Sequence, residues 1–183
     1  MQKTALIAIF LSFFCLVNLA WGEMDVQETT RLAKSGDAEA QYFLGLKYDQ
    51  GQGVPQNYAE AVKWFRKAAE QGLADAQFAL GLKYGKGQGV PKNYTEAMKW
   101  YRKAADQGDA NAQYNLGIMY YNGEGTPKNF INSYVWLSVA SAKGNEKAKK
   151  YIEIISPEMT PQQVAQAQNE AAELWKRINK SKK

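Results

Sequence analysis

The sequence predicts an all-α protein, a solenoid of stacked antiparallel helix pairs with a capping helix at each end. Two observations carry that prediction. The chain repeats itself: residues 38–73 read AEAQYFLGLKYDQGQGVPQNYAEAVKWFRKAAEQGL and residues 74–109 read ADAQFALGLKYGKGQGVPKNYTEAMKWYRKAADQGD, identical at 25 of 36 positions. The register then persists, with Gly36, Gly72, Gly108 and Gly144 falling 36 residues apart and Pro55, Pro91 and Pro127 doing the same. A fixed period of this size marks units that bury their apolar faces only against their neighbours.

The first 22 residues read as a signal peptide. Lys3 gives a short positive start, Ala5–Val17 an apolar run, and Ala20-Trp21-Gly22 the small residues a signal peptidase reads, so cleavage is expected before Glu23. The run is shorter than the ~20 apolar residues that cross a bilayer. Cys15, the only cysteine, lies in this leader. The mature chain then has no cysteine and, like the whole, no histidine; packing alone must hold it, with no disulfide. Its 22 basic and 18 acidic residues leave a mild excess of positive charge. Much of that excess lies in Lys176, Arg177, Lys180, Lys182 and Lys183, where cations suit the negative end of a terminal helix. No nucleic-acid partner is expected, nor any integral membrane span after cleavage.

Residues 23–37 read as an N-terminal half-unit. Gly36 takes the slot of Gly72, but Glu28 and Thr29 replace Trp64 and Phe65, the loss of bulk expected of a cap with no outer neighbour. Each full unit (38–73, 74–109 and 110–145) gives two helices. In helix A of the first, Ala40, Leu44 and Tyr48 form an apolar face. Gly45, Gly81 and Gly117 cost ~1 kcal/mol each inside that helix, which close approach of helix B would offset. The loops Gly51–Pro55 and Gly87–Pro91 are breakers. Asn57 and Asn93 then precede helix B with Glu60 and Glu96 three residues on, an asparagine version of the capping box. Tyr58, Ala61, Trp64 or Phe65, Ala68 and Ala69 face the core, and Gly72 is the expected left-handed terminator.

The third unit keeps this framework but places Val135 and Ser138 where Lys63 and Arg66 stood, so another segment is expected to cover its outer face. Residues 146–183 supply it. Ala148 and Ile152 begin a partial helix A that fades by Ser156-Pro157. Thr160-Pro161-Gln162-Gln163 then starts a closing helix with Thr160 as N-cap, Pro161 at N1 and Gln163 at N3. Val164, Ala167, Ala171, Leu174, Trp175 and Ile178 form its apolar stripe.

The pattern Ala40-Gln41-Tyr42-x-Leu44-Gly45-x-x-Tyr48, Gly51-x-Gly53-Val54-Pro55, Asn57-Tyr58-x-x-Ala61-x-x-Trp64, Ala68-Ala69-x-Gln71-Gly72 resembles the Sel1-like repeat, a relative of the tetratricopeptide repeat. The resemblance implies a right-handed superhelix. It also implies a non-enzymatic adaptor for a partner protein or peptide, in bacteria often at the envelope, exported to the periplasm or secreted. A cysteine-rich subgroup is described as β-lactamase-like; it carries a paired-cysteine disulfide in each repeat, which the mature chain here lacks. With neither histidine nor thiol, the commonest general base, nucleophile and soft metal ligands are missing, so no catalytic residue, metal site or cofactor is expected. Glu60 and Glu96 are explained by capping, Glu39 and Asp75 by the helix dipole.

A surface is the better candidate. Beside the core stripe of helix A runs a second one: Tyr42 and Leu46, Phe78 and Leu82, Tyr114 and Ile118. Asp49 and Gln50, Gly85 and Lys86, Tyr121 and Asn122 extend it by about another turn. By analogy with tetratricopeptide grooves this stripe faces the concave side, where aromatics beside polar groups make interface anchors. The same residues also suit plain packing between units. The positions that differ between near-identical units (Asp49/Gly85/Tyr121, Gln50/Lys86/Asn122) are those expected to set specificity. An alternative, a glycan- or peptidoglycan-binding module, is suggested by eleven tyrosines and five tryptophans in an exported chain.

Overall fold

The computed structural model describes residues 25–180, and the signal peptide expected at 1–22 lies outside them. Within that span the chain forms α1 (Val26–Lys34), α2 (Ala38–Gln50), α3 (Tyr58–Glu70), α4 (Ala74–Lys86), α5 (Tyr94–Asp106), α6 (Ala110–Asn122), α7 (Phe130–Ala142), α8 (Glu146–Ile155) and α9 (Pro161–Lys180), with a 3₁₀ turn at Ser156–Glu158. From α1 to α8 each helix packs on the next, and α9 then returns onto α7. The core is therefore serial: Ala33, Ala40 and Leu44 first, then Ala61 to Trp100, then Ala97 through Ile178. This is the α-solenoid of helix pairs that the period predicts. Among the described residues no helix is long and apolar enough to cross a membrane.

The helix A glycines are fixed by packing. A Cβ on Gly45 would stand 2.6 Å from the Phe65 ring, one on Gly81 2.6 Å from Tyr101, and one on Gly117 2.5 Å from Leu137. The loop glycines do more than adopt positive φ. A Cβ on Gly89 would come within 2.2 Å of the Tyr58 carbonyl oxygen, and one on Gly125 within 2.7 Å of the Tyr94 carbonyl carbon. These two loops thus seat backbone to backbone on the start of the preceding helix B, whereas a Cβ on Gly53 of the first loop would stand 2.7 Å from the Val26 side chain.

The capping expectation needs one correction. Asn57 caps α3 by accepting from the Ala59 and Glu60 N–H groups, but Glu60 does not reach back. The Asn57 N–H already donates to the Tyr48 carbonyl at 2.8 Å, so Glu60 turns outward to Lys63 at 2.5 Å. Asn93 and Asn129 repeat this, donating to Tyr84 and Tyr120. The reciprocal box does form at α9: the Thr160 N–H donates to Gln163 Oε1 at 2.8 Å and the Gln163 N–H to Thr160 Oγ1 at 3.2 Å.

The N-terminal cap departs from expectation at one slot. Thr29 is fully buried, its hydroxyl donating to the Asp25 carbonyl at 3.0 Å, while Glu28 stays near the surface with Arg31. The slot remains inside although its side chain is small. At the other end Val135 is buried beneath α9, as the loss of charge there predicts.

A glutamine ladder ties the units together. Gln41, Gln77 and Gln113 donate to the carbonyls of Ala33, Ala69 and Ala105, and Gln71 and Gln107 donate in turn to the Gln41 and Gln77 side-chain oxygens. In the third unit Lys143 holds the ladder slot and donates to the Gly108 carbonyl instead. Gln113 Oε1 is left buried without a hydrogen bond.

Candidate partner-binding surface

The geometry of each unit follows from helix A crossing its helix B at the glycine. With Gly81 admitting the Tyr101 ring, the side chains one position further round α4 stand half-buried at the surface, and the same holds for α2 and α6. Tyr42 packs 5.8 Å from the Phe65 ring and 5.5 Å from Phe43, and Phe78 lies 5.8 Å from Tyr101. Tyr114 meets Tyr151 of α8 edge-on at 5.8 Å. Leu46, Leu82 and Ile118 continue the stripe, each half-buried. Ile154, in the next slot along on α8, is 52% exposed because no further helix A follows it.

The polar extension is less uniform. The Asp49 carboxylate accepts from the Lys83 ammonium, which lies under the Tyr58 ring with its side chain only 9% exposed. Asp49 is thereby engaged between units. Gln50, Lys86 and Asn122 are exposed. Tyr121 packs between Phe130 at 5.9 Å and Tyr151 at 6.3 Å, with the Lys128 ammonium 4.9 Å above its ring. Burial, reinforced by Asp75 and Asp109, pushes the Tyr42 phenol up to about 12; burial also raises Tyr101 and Tyr114. These phenols are neutral at physiological pH.

Two hollows open on this face, and together they form one trough between α4 and α6. The wider, about 460 Å³, is walled by Phe78, Leu82, Tyr114 and Asn115 and closed by the start of α8 at Asn145–Lys147. The narrower, about 180 Å³, runs from Leu82, Gly85 and Lys86 across to Asn115, Ile118 and Glu124, with Tyr101, Ala97 and Met119 beneath. Leu82 and Asn115 line both. Of the candidate residues the trough gathers Phe78, Leu82, Lys86, Tyr114 and Ile118. Tyr42, Leu46, Asp49 and Gln50 lie along α2, and Tyr121 and Asn122 lie beyond the trough's end.

Asn111 and Asn115 are not part of the stripe read from sequence. The signal was available in the comparison of units, where Asn111 stands in the slot of Asp75 and Asn115 in that of Ala79. Glu124 lies in a loop, where slot comparison has least to say. Among the described residues no group of His, Cys, Asp or Glu is placed to hold a metal ion.

Fold and surface together define a helical-repeat scaffold. The Sel1 repeat model matches residues 38–73, 74–109 and 110–145, more than half of the chain. The chain belongs to the Sel1 repeat family. It is similar to a crystallised Sel1 repeat protein from Oxalobacter formigenes at 43% identity, over 70% of this chain and 97% of that one, with a TM-score of 0.65. A protective antigen present in uropathogenic Escherichia coli strains, displaying an SLR fold, matches at 28% identity over 85% of this chain and 43% of its own, with a TM-score of 0.62. Helicobacter pylori cysteine rich protein B shares the fold at 22% identity and a TM-score of 0.56. The secretory immunoglobulin A-binding protein EsiB of Escherichia coli is 39% identical over 69 residues. Those residues are 37% of this chain but only 14% of EsiB, so the chain spans a small part of that relative. Sel1 repeat proteins typically serve protein–protein interaction.

Proposed function

We propose that this chain is an exported, non-enzymatic adaptor that binds a partner protein or peptide along the helix A face, the concave side of the solenoid. The observation that carries the reading is the file of half-buried side chains from Tyr42 to Ile118, which runs into the α4–α6 trough. Half-buried aromatic and aliphatic groups held rigid by the core lose little freedom on binding, and polar neighbours such as Lys86 and Asn122 add orientation. Of the relatives, EsiB is by its name a protein binder, in line with this reading. The reading of residues 1–22 as a signal peptide supports export to the periplasm or beyond.

The test is crosslinking capture from the native envelope, read by mass spectrometry, with the wild-type chain and a Leu82→Glu/Ile118→Glu variant. Both sites are only half-buried, so the variant is expected to keep its helical circular dichroism. The adaptor reading expects the captured partner to be lost. Undiminished capture by a folded variant removes this face from consideration.

A further inference from the structure

One position on α4 is out of keeping with the rest. Gly85 lies in the last turn of α4 with ordinary helical φ, and a side chain there would favour the helix. Unlike Gly81 one turn earlier, it is not required by packing: an added Cβ would meet nothing closer than Ala97 Cβ at 3.8 Å and the Tyr101 hydroxyl at 3.9 Å. The equivalent slots hold Asp49 and Tyr121, so the fold itself accepts a carboxylate or a phenol there. What the missing side chain leaves is the narrower hollow. Its floor is Ala97, Met119 and Tyr101, and its volume of about 180 Å³ is below the ~300 Å³ at which small-molecule sites begin. That space fits one amino-acid side chain.

The rim is made for a peptide. Asn115 lines both hollows, and its side-chain amide carries two N–H donors and a carbonyl acceptor. Asn111, four residues back and so on the same face, lines the adjoining hollow. An amide offers the same donor and acceptor as a peptide group. From Asn111 to Ile118 the helix rises about 10 Å, the length of about three extended residues. The lips carry opposite charges: Lys86 on α4 and Glu124 on the loop after α6, neither in an ion pair among the described residues.

We infer that the Gly85 hollow is an anchor pocket for a single bulky apolar side chain of an extended partner segment. The segment's backbone is held by the Asn111 and Asn115 amides, and the anchor is flanked by an acidic residue facing Lys86 and a basic residue facing Glu124. The inference rests on the adaptor reading and names the partner chemistry for one part of that face. Asp in this slot would fill the mouth with a desolvated carboxylate; Tyr would occupy the hollow outright.

The test uses the ¹⁵N-labelled protein and capped heptapeptides of glycine and serine with Asp-Leu-Lys, Lys-Leu-Asp or Asp-Ala-Lys at the centre. The expected result is that a leucine peptide shifts the amide resonances of Gly85, Ala97, Asn115 and Met119, and that leucine to alanine weakens binding at least tenfold. Gly85→Tyr is expected to abolish those shifts while the rest of the spectrum stays that of the folded protein, and Gly85→Ser, which intrudes less, to weaken them. No shift at these residues up to about 5 mM peptide overturns the inference. So do shifts that persist in Gly85→Tyr, and so does concentration-dependent movement of the same resonances without peptide, which would make a second copy the occupant. Failure here with partner capture still lost in Leu82→Glu/Ile118→Glu defeats the pocket alone; undiminished capture defeats the adaptor reading itself.

Discussion

Two glycines four residues apart on α4 give the packing account opposite obligations. At Gly81 an alanine methyl would enter the Tyr101 ring at 2.6 Å, and Tyr101 is itself buried and cannot swing clear. Overpacking of this kind costs about 1–3 kcal/mol, against ~1 kcal/mol gained by replacing glycine in a helix. Gly81→Ala is therefore expected to destabilise by up to about 2 kcal/mol. At Gly85, in the last turn, the same methyl meets only van der Waals contacts at 3.8 Å and more, so Gly85→Ala keeps part of the helix gain and stabilises by up to about 0.5 kcal/mol. For a chain of this size each kcal/mol moves Tm by about 2–4 °C, so the two variants should separate by several degrees in circular dichroism melts at 222 nm. A Gly81→Ala protein as stable as Gly85→Ala would refute the claim that helix B lies on a bare backbone, and with it the geometry of every unit.

Other consequences are as definite. Asp49→Ala leaves the Lys83 ammonium without its carboxylate at the junction of the first two units; the loss is expected to be about 2 kcal/mol, and Lys83→Met in the same chain should recover most of it in denaturant titrations. Lys143→Gln restores the ladder slot held by Gln71 and Gln107 and offers Gln113 Oε1 a donor, a gain of about 1 kcal/mol by the same measurement. The Tyr42 phenol is raised in the folded state, so the unfolded chain gives up its proton first as pH climbs. Stability from this group is intact below pH ~10 and is lost as pH rises toward about 12, and Tyr42→Phe should flatten that part of the curve.

Most of the fold was legible because the chain says it repeatedly. The glycine-to-helix-B approach, the asparagine caps and the cover over Val135 all follow from slot comparison and helical spacing. What escaped it depends on three-dimensional competition for one group. Glu60 has the spacing of a capping box, but the Asn57 N–H is claimed by Tyr48 from the preceding helix, a bond 9 residues back that spacing does not show. The buried Lys83 reads as a surface lysine until Asp49 and Tyr58 of the previous unit close over it. The candidate stripe was legible as a row of residues on one face, yet the trough was not, since its walls come from α4, α6 and the start of α8, and its floor from α5 and Met119 of α6. Gly85 was visible as a variable slot; that it leaves an open space rather than a tight crossing depends on where Ala97 and Tyr101 of α5 lie.

The face that meets the partner is the decisive property of this solenoid. A photo-reactive benzophenone side chain placed at Lys86 or Asn122, on the helix A face, and at Lys63 or Lys99, on helix B and exposed, would map it in the native envelope. One and the same partner is expected to crosslink from 86 and 122, and none from 63 or 99. Crosslinks confined to 63 and 99 would contradict that assignment of the face.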